Sequence, residues 1–304
     1  MSILKYRAFL ETVELRSLTK AAESLGYTQP GISHMISSLE KEIGFPLLIR
    51  TKDGVLPTEN AAQLQYYMQQ IVSAEDALKE TSYKIQGIEV GSLRVGTFFS
   101  TSARWIPEIA ATFLNNHPNI DLRIFEGTHQ ETWDWLTSGT IDIAITSPPV
   151  PEKYDFIPLW DDPILAVMSK VNPLAGKEAV TAHELIQYPF IAPNVGADES
   201  IWQVMHAEGL VPYVKFRVKG DMATISMIGQ NLGVSLIPQL AITPIEDNIV
   251  ALPLTRSYSR TLGLCIQSLK HASPTAQKFI ALTKEFISRH PSPQNLLLST
   301  NKVE

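Results

Sequence analysis

The sequence predicts a mixed α/β chain in three parts: three short helices with a hairpin, one long helix, and a larger region in which strands and helices alternate. Three observations carry this expectation. Apolar residues recur at helical spacing through Ile43 and are followed by two short extended runs around a Lys-Asp-Gly turn. From Thr58 to Gln86 there is neither proline nor glycine. After Gly87 short apolar runs alternate with helix-like stretches, a pattern that calls for a parallel sheet with helices on its faces.

Within the first part, Leu4, Phe9, Leu10 and Val13 mark a first helix with Ser2 as candidate cap. Leu18, Ala21, Ala22 and Leu25 mark a second after Ser17, ended by Gly26. A third opens at Thr28-Gln29-Pro30, a cap-forming residue with a first-turn proline, and carries the stripe Ile32, Ile36, Leu39, Ile43 before Gly44 stops it. PLLIRTKDGVLPT then reads as a hairpin. Three helices and a hairpin make a winged helix-turn-helix over residues 1–57.

The long helix, residues 58–87, carries Leu64, Ile71, Leu78 and Ile85 seven residues apart, with Tyr67, Ala74 and Thr81 three positions later. A seven-residue repeat of this kind is a seam for a partner helix, so these four residues are the candidate dimerisation positions.

The third part begins with strand LRVGTF, a helix over about 103–115, strand IDLRIF, a helix over about 130–138 and strand IDIAIT. The pattern restarts with ILAVM, FIA, a helix from Ser200, VKFRV, a helix near 222–231, GVSLIP and TLGLCI, then a last helix over about 275–289. A loose tail is expected over 291–304.

A composition of 44% hydrophobic and 18% charged residues is that of an ordinary globular protein. No apolar run reaches the roughly 18 to 20 residues needed to cross a bilayer, and the N-terminus lacks a basic-apolar-small cleavage pattern, so no membrane partner and a cytoplasmic address are expected. The single cysteine, Cys265 in LGLCI, has no partner for a disulfide and reads as a small buried hydrophobe. There is no GxSxG elbow, no GxxxxGK[ST] loop and no HExxH, and the seven histidines form no ligand-spaced cluster. No enzyme, no cofactor and no metal site are therefore expected.

The net charge of -6 argues against a nucleic-acid partner, and residues 1–60, with seven basic and seven acidic side chains, do not reverse it. A DNA-binding reading must rest on geometry and local charge. In the third helix the stripe Ile32, Ile36, Leu39, Ile43 turns Ser33, His34, Ser37 and Ser38 outward, the half that enters a major groove in helix-turn-helix proteins. Gln29 can address adenine through its amide, Thr28 and Ser33 offer short donors and acceptors, and Pro30 offers an apolar edge to a thymine methyl. Plain capping is the competing explanation for Thr28 and Gln29. Arg50 and Lys52 supply wing charge to phosphates or a minor groove.

Residues 17–61, SLTKAAESLGYTQPGISHMISSLEKEIGFPLLIRTKDGVLPTENA, resemble the helix-turn-helix of the LysR-type transcriptional regulators. The matching features are Ala21-Ala22, Gly26, Thr28-Gln29-Pro30, Ser33, Leu39-Glu40, Gly44, Pro46-Leu47 and Arg50-Thr51. Ile49, where the family usually carries an acidic residue, and His34, where arginine or lysine is common, depart from it. The phrases LRVGTF, LNNHPNIDLRIFEGT, LTSGTIDIAI and IGQNLGVSLIP are similar to the family's effector domain, itself similar to periplasmic solute-binding proteins. The resemblance implies a regulator that binds double-stranded DNA, associates with itself as dimer or tetramer, acts with RNA polymerase and responds to a small molecule. The contacts it implies on DNA are Thr28, Gln29, Pro30, Ser33, His34, Arg50, Thr51 and Lys52. It further implies two α/β subdomains, expected at 92–161 plus 268–290 and at 162–267, with crossovers near 160–163 and 267–268.

Small ligands bind between such halves, beyond the carboxyl ends of the strands. Ser100, Thr101 and Ser102 stand at a helix N-terminus that favours an anion. Thr128 follows the second strand and Thr146-Ser147 the third, while Asn194, Gly196 and Thr224 close the site from the other half. Of the five tryptophans, most are expected in packing and one or two in the pocket. A solute-binding protein of a transport system is the rival reading of residues 92–290; residues 17–61 oppose it.

Overall fold

The computed structural model describes residues 2–52, 54–193, 200–242 and 247–289. Asn194 and Gly196 lie outside the described residues. The chain forms two compact units, residues 1–91 with 137–140, and residues 92–136 with 141–304.

The first unit opens with α1 (Ile3–Leu15), whose Ser2 cap uses its backbone carbonyl, accepting from the Lys5 amide at 3.0 Å, rather than its hydroxyl. The helix α2 (Leu18–Leu25) is capped by the Ser17 hydroxyl and α3 (Gln29–Ile43) by that of Thr28. The hairpin is β1 (Leu48–Thr51) against β2 (Gly54–Pro57), antiparallel with Thr51 opposite Gly54. Then comes α4 (Glu59–Ile85), whose Thr58 cap accepts from the Ala61 amide and donates to the Pro46 carbonyl.

Phe9, Leu39, Leu47, Ala61, Met68 and Val72 make one core, with Leu64 packed half-buried against it. Ala8, Ala22, Ile32 and Ile36 make a second, where two alanines let the helices approach closely. The beginning of α4 is thus part of the N-terminal core, and Arg7 of α1 donates to Glu75 at 2.9 Å and also to Asp76. Leu64 therefore does not belong to an exposed seam: it faces its own domain. Tyr67, Ile71, Leu78 and Ile85 are exposed at 64%, 43%, 70% and 82%, so the outward stripe begins at Tyr67.

The second unit holds β3 (Gly91–Thr97), α5 (Phe99–Arg104), α6 (Ile106–Asn116), β4 (Ile120–Glu126), α7 (His129–Ser138) and β5 (Ile143–Thr146). The single helix expected over 103–115 is two, broken at Trp105, with Pro107 in the first turn of α6. The 15-residue strand β6 (Asp155–Ser169) follows. After it come α8 (Ala182–Leu185), β7 (Phe190–Pro193), α9 (Ser200–Ala207), β8 (Val214–Val218), α10 (Asp221–Gly229), β9 (Ser235–Pro238), β10 (Ile249–Pro253), β11 (Ser259–Ile266) and α11 (Pro274–Arg289).

The sheet runs β10-β6-β11-β5-β3-β4, with β9 also on β6, and β7-β8 form a separate parallel pair. β3 and β5 are parallel as expected, but β11 is antiparallel to both β5 and β6, so the sheet is mixed. The first half of β6, to Pro163, pairs with β11; its second half, from Ile164, pairs with β9 and β10. One continuous strand is therefore shared by both subdomains. This moves the second crossover. TLGLCI was expected to end the second subdomain at 267, yet Leu262, Leu264 and Ile266 pack into the first subdomain's core with Val95, Ile143, Ile145 and Phe279, so the chain has crossed back before Ser259. The second subdomain's core gathers Ile164, Ala166, Met168, Phe190, Val204 and Leu236.

Phe9 is fully buried at the meeting point of α1, α3 and α4. Phe9→Ala should cost about 3–5 kcal/mol, the usual range for a buried phenylalanine, read as a lower urea midpoint for the loss of helical circular dichroism.

Candidate functional sites: an exposed helix face and a cleft at the crossover strands

The N-terminal unit holds a projecting helix in a fixed frame. Gly26 ends α2 in the left-handed region at φ 72°. The Thr28 hydroxyl then accepts from the Gly31 amide at 3.3 Å and starts α3. Burial of Ile32, Ile36 and Leu39 leaves Thr28, Pro30, His34 and Ser37 exposed, with Gln29 and Ser33 half-buried on the same end. Ser38 departs from the expected outward set, because its hydroxyl accepts from the Lys5 ammonium of α1 at 2.8 Å. Thr28 caps and Gln29 does not, so the competing explanation holds for Thr28 alone.

Two contacts that the sequence did not signal fix the wing. The Glu40 carboxylate accepts from the Leu47 amide at 2.8 Å and from that of Leu48 at 3.4 Å, tying the end of α3 to β1. Gly54, at φ 113°, lies where a Cβ would stand 2.4 Å from the Arg16 carbonyl, and that carbonyl accepts from the Val55 amide at 3.0 Å. Only glycine fits there. Arg50 and Lys52 are exposed; Thr51, also exposed, donates its hydroxyl to the Gly54 carbonyl at 3.0 Å and so closes the hairpin.

The second unit contains a cleft of about 880 Å³ lined from one subdomain by Phe98, Phe99 and Thr128 and from the other by Thr224, Ser235 and Pro238. A further cavity of about 430 Å³ is lined by Ser147, Ser200, Gln203 and Thr261 among others. His129 and Arg260 line both.

The expected ligand residues divide. Thr128 and Thr224 line the larger cavity and Ser147 the smaller. Thr128 also caps α7, its hydroxyl accepting from the Glu131 amide while its own amide donates to Glu131, which holds that carboxyl below its usual range. Ser100, Thr101, Ser102 and Thr146 line neither. The Ser100 hydroxyl accepts from Arg260 at 2.9 Å, and Thr101 turns inward, donating to the Phe98 carbonyl and bonding Thr97. Thr146 is buried against the Nδ1 of His129 at 3.4 Å. Among the described residues no tryptophan lines either cavity; Trp105 and Trp160 pack edge to face in the first subdomain's core.

The residues that sequence reading missed are His129, Arg260 and Asp162. The His129 Nε2 accepts from the Trp133 indole at 3.0 Å, which leaves the proton of a neutral ring on Nδ1, facing Thr146. Arg260 is 7% exposed, stacks its guanidinium 5.1 Å over the Phe98 ring, and donates from Nε (3.0 Å) and Nη2 (2.8 Å) to one oxygen of Asp162. The signal for this pair was available: an arginine inside the apolar strand SRTLGLCI and an acidic Asp161-Asp162 inside β6. Cys265, by contrast, is buried as expected, and burial pushes its thiol up to about 12, which removes thiolate chemistry at neutral pH.

Two family models match this chain: the LysR substrate binding domain over residues 86–288, and the bacterial regulatory helix-turn-helix protein, lysR family, over residues 3–62. The chain belongs to the LysR family. YvbU of Bacillus subtilis (strain 168), described as an uncharacterized HTH-type transcriptional regulator, is 29% identical over 288 residues, covering 94% of this chain and 98% of its own. A full-length OxyR from Pseudomonas aeruginosa, in which one cysteine is replaced by aspartate, shares the fold at a TM-score of 0.74 and 20% identity, over 96% of this chain and 99% of that one. CbnR complexed with its target DNA does so at 0.63 and 17%, over 94% and 100%. This LysR-family protein is a DNA-binding transcription regulator whose effector domain places it under small-molecule control. Among the described residues no helix is long and apolar enough to cross a membrane.

The buried pair of this LysR-family regulator sets a stability prediction. Asp162→Asn leaves Arg260 buried without its counter-charge and should cost about 3–5 kcal/mol. Replacing both, as Asp162→Leu with Arg260→Met, should cost clearly less than that single change, measured by denaturant unfolding.

Proposed function

We propose that this regulator reads its operator through the exposed N-terminal end of α3 and anchors the reading with the wing. Gln29, Ser33 and His34 face base edges, Pro30 offers its ring to a thymine methyl, and the amide end of α3 with Thr28 meets phosphate. Arg50 and Lys52 supply phosphate charge, while Thr51 supports the hairpin that carries them. The observation that carries this reading is the exposed polar end of α3, left bare by a core that buries Ile32, Ile36 and Leu39 of its apolar stripe. The regulator works in the cytoplasm and acts on RNA polymerase from that bound position.

Two copies associate through the outward stripe of α4, Tyr67, Ile71, Leu78 and Ile85, spaced by four and seven as a partner helix requires. The effector occupies the cleft between the two α/β subdomains, against Thr128, Thr224, His129 and Arg260 with Ser147 behind them. The anion expected from the N-terminus of α5 loses its basis there: α5 has six residues, and its Ser100 and Thr101 hydroxyls are already bonded within the protein. Effector binding changes the relation of the subdomains and thereby DNA binding, which requires different affinity for two states.

Gln29→Ala should narrow the affinity gap between operator and random DNA by about 1–3 kcal/mol, the value of one good base contact. Arg50→Ala should weaken both alike and flatten the dependence of log K on log salt by up to about one unit per subunit. Fluorescence anisotropy across a salt series reads both; equal loss of discrimination in the two variants would refute the assignment. For the stripe, Leu78→Glu with Ile85→Glu should lower the mass found by light scattering at micromolar concentration without changing helical content. An unchanged mass would place the interface elsewhere.

A further inference from the structure

Asp162 and Arg260 stand opposite each other on β6 and β11, the two strands by which the chain passes between subdomains. Their side chains are 1% and 6% exposed. The second oxygen of Asp162 accepts from the Leu240 amide at 2.9 Å, in the 3-10 turn Gln239–Ala241 that follows β9 of the second subdomain. Arg260 reaches the other way, its Nη2 donating to Ser100 on α5 of the first subdomain. A single chain of bonds thus runs Ser100, Arg260, Asp162, Leu240, from α5 through both crossover strands to the turn after β9, which leaves the second subdomain and sets the Leu240 side chain against the first subdomain's core. Beside it, the Arg104 guanidinium of α5 donates to the Ile242 carbonyl at 3.2 Å.

The links differ in strength. Asp162 holds Arg260 by two charge-assisted bonds with both side chains buried, and breaking that pair strands two buried charges. Ser100 contributes one neutral hydroxyl, the weakest member. Arg260 is also the one member of the chain of bonds that lines both cavities, so it is where a ligand meets it.

We propose that the Ser100–Arg260 contact is a latch and that an effector opens it by setting a carboxylate or carbonyl oxygen against Arg260 in place of the Ser100 hydroxyl. Release of Ser100 frees α5 and changes the angle between the subdomains, while the Asp162–Arg260 pair remains as the fixed axis. The ligand class is a small molecule with a hydrogen-bond acceptor, and it needs no net charge because Asp162 already balances Arg260. Ser100 and Asp162 are positioning residues in this scheme. The inference rests on the cleft being the effector site.

The test uses the full-length chain with spin labels at Glu108→Cys and Glu178→Cys, one exposed position in each subdomain, diluted with unlabelled chain so that one protomer is read. The native Cys265 is buried and stays unlabelled. Pulsed electron-electron resonance should show Ser100→Ala shifting or broadening the distance distribution of the parent at unchanged melting temperature within a few degrees. Saturating sodium benzoate, against sodium chloride of equal strength, should move the parent in the same direction and leave Ser100→Ala where it is. The Asp162→Leu with Arg260→Met pair should lose the benzoate response; should that pair fail to fold, the Ser100→Ala comparison decides alone. A Ser100→Ala distribution identical to the parent's overturns the latch. Benzoate without effect on a parent whose Ser100→Ala variant has moved overturns the displacement step. Benzoate bound with equal affinity by parent and double variant, by calorimetry, refutes the role of Arg260 yet leaves the cleft as the effector site.

Discussion

The arrangement of the effector unit depends on one buried ion pair. β6 runs unbroken through both subdomains, and β11 lies beside its first half, so the two α/β cores are joined by a narrow ribbon of backbone. A ribbon of two strands alone bends and twists freely. Asp162 and Arg260 stop this at the point of passage, because each oxygen of the carboxylate is bonded to a different element, β11 and the turn after β9. Buried pairs of this type add little net stability over apolar residues of the same volume; their best-attested use is to fix one arrangement among several. The proposed change of angle between the subdomains requires the same thing, defined states rather than a soft continuum.

Local order was legible wherever one period dominated the sequence. The stripe Ile32, Ile36, Leu39, Ile43 and the residues Ser17 and Thr28 placed the second and third helices within a residue or so, because those signals are local and each hydroxyl answers a backbone amide left unbonded at a helix start. Leu64 shows the limit. Its spacing from Ile71 is the same as that of Ile71 from Leu78, yet it faces α1 and α3 because the first turns of α4 complete a core that only the tertiary arrangement defines. β11 shows the same limit at the level of topology. TLGLCI reads as a buried strand in either subdomain, and only pairing with β5 and β6 assigns it. Cavity-lining positions of the candidate site were legible where hydroxyls follow strands, as at Thr128 and Ser147. At Arg260 an arginine inside an apolar strand was a visible signal, but its pairing was not legible, because its partner is 98 residues away in sequence.

Charge counting misjudges the DNA-reading unit for a related reason. Lys5 bonds Glu42 and Ser38, and Arg7 bonds Glu75 and Asp76 of α4, so both of these cations are spent inside the fold and the count over residues 1–60 does not describe the charge that faces outward. What faces outward on the wing is Arg50 and Lys52, on a hairpin whose angle is set by Glu40 at one end and the Arg16 carbonyl at the other. Since phosphate contacts act within about a Debye length, on the order of 8 Å at physiological salt, the contacts proposed for Arg50 and Lys52 depend on local charge and not on the net charge of -6. The zero balance of residues 1–60 is thus compatible with a polyanionic partner.

Neutralising Arg260 inside the cleft has a consequence for what such a regulator can sense. A bare buried guanidinium would attract any anion that reached it and would discriminate poorly between a metabolite and phosphate. With Asp162 on one edge and Phe98 beneath, the guanidinium keeps its planar, directional donors but loses most of its long-range field. Selectivity then comes from where an acceptor oxygen can sit and from the shape of the surrounding cleft, since an unfilled buried donor is costly whereas a generic anion gains little. His129 fits the same logic: Trp133 donates to its Nε2 and the Thr146 hydroxyl stands 3.4 Å from its Nδ1, so both ring nitrogens already have partners within the protein. With its polar groups already bonded within the protein, the proposed site answers to a ligand that replaces a partner, not merely to one that adds a charge.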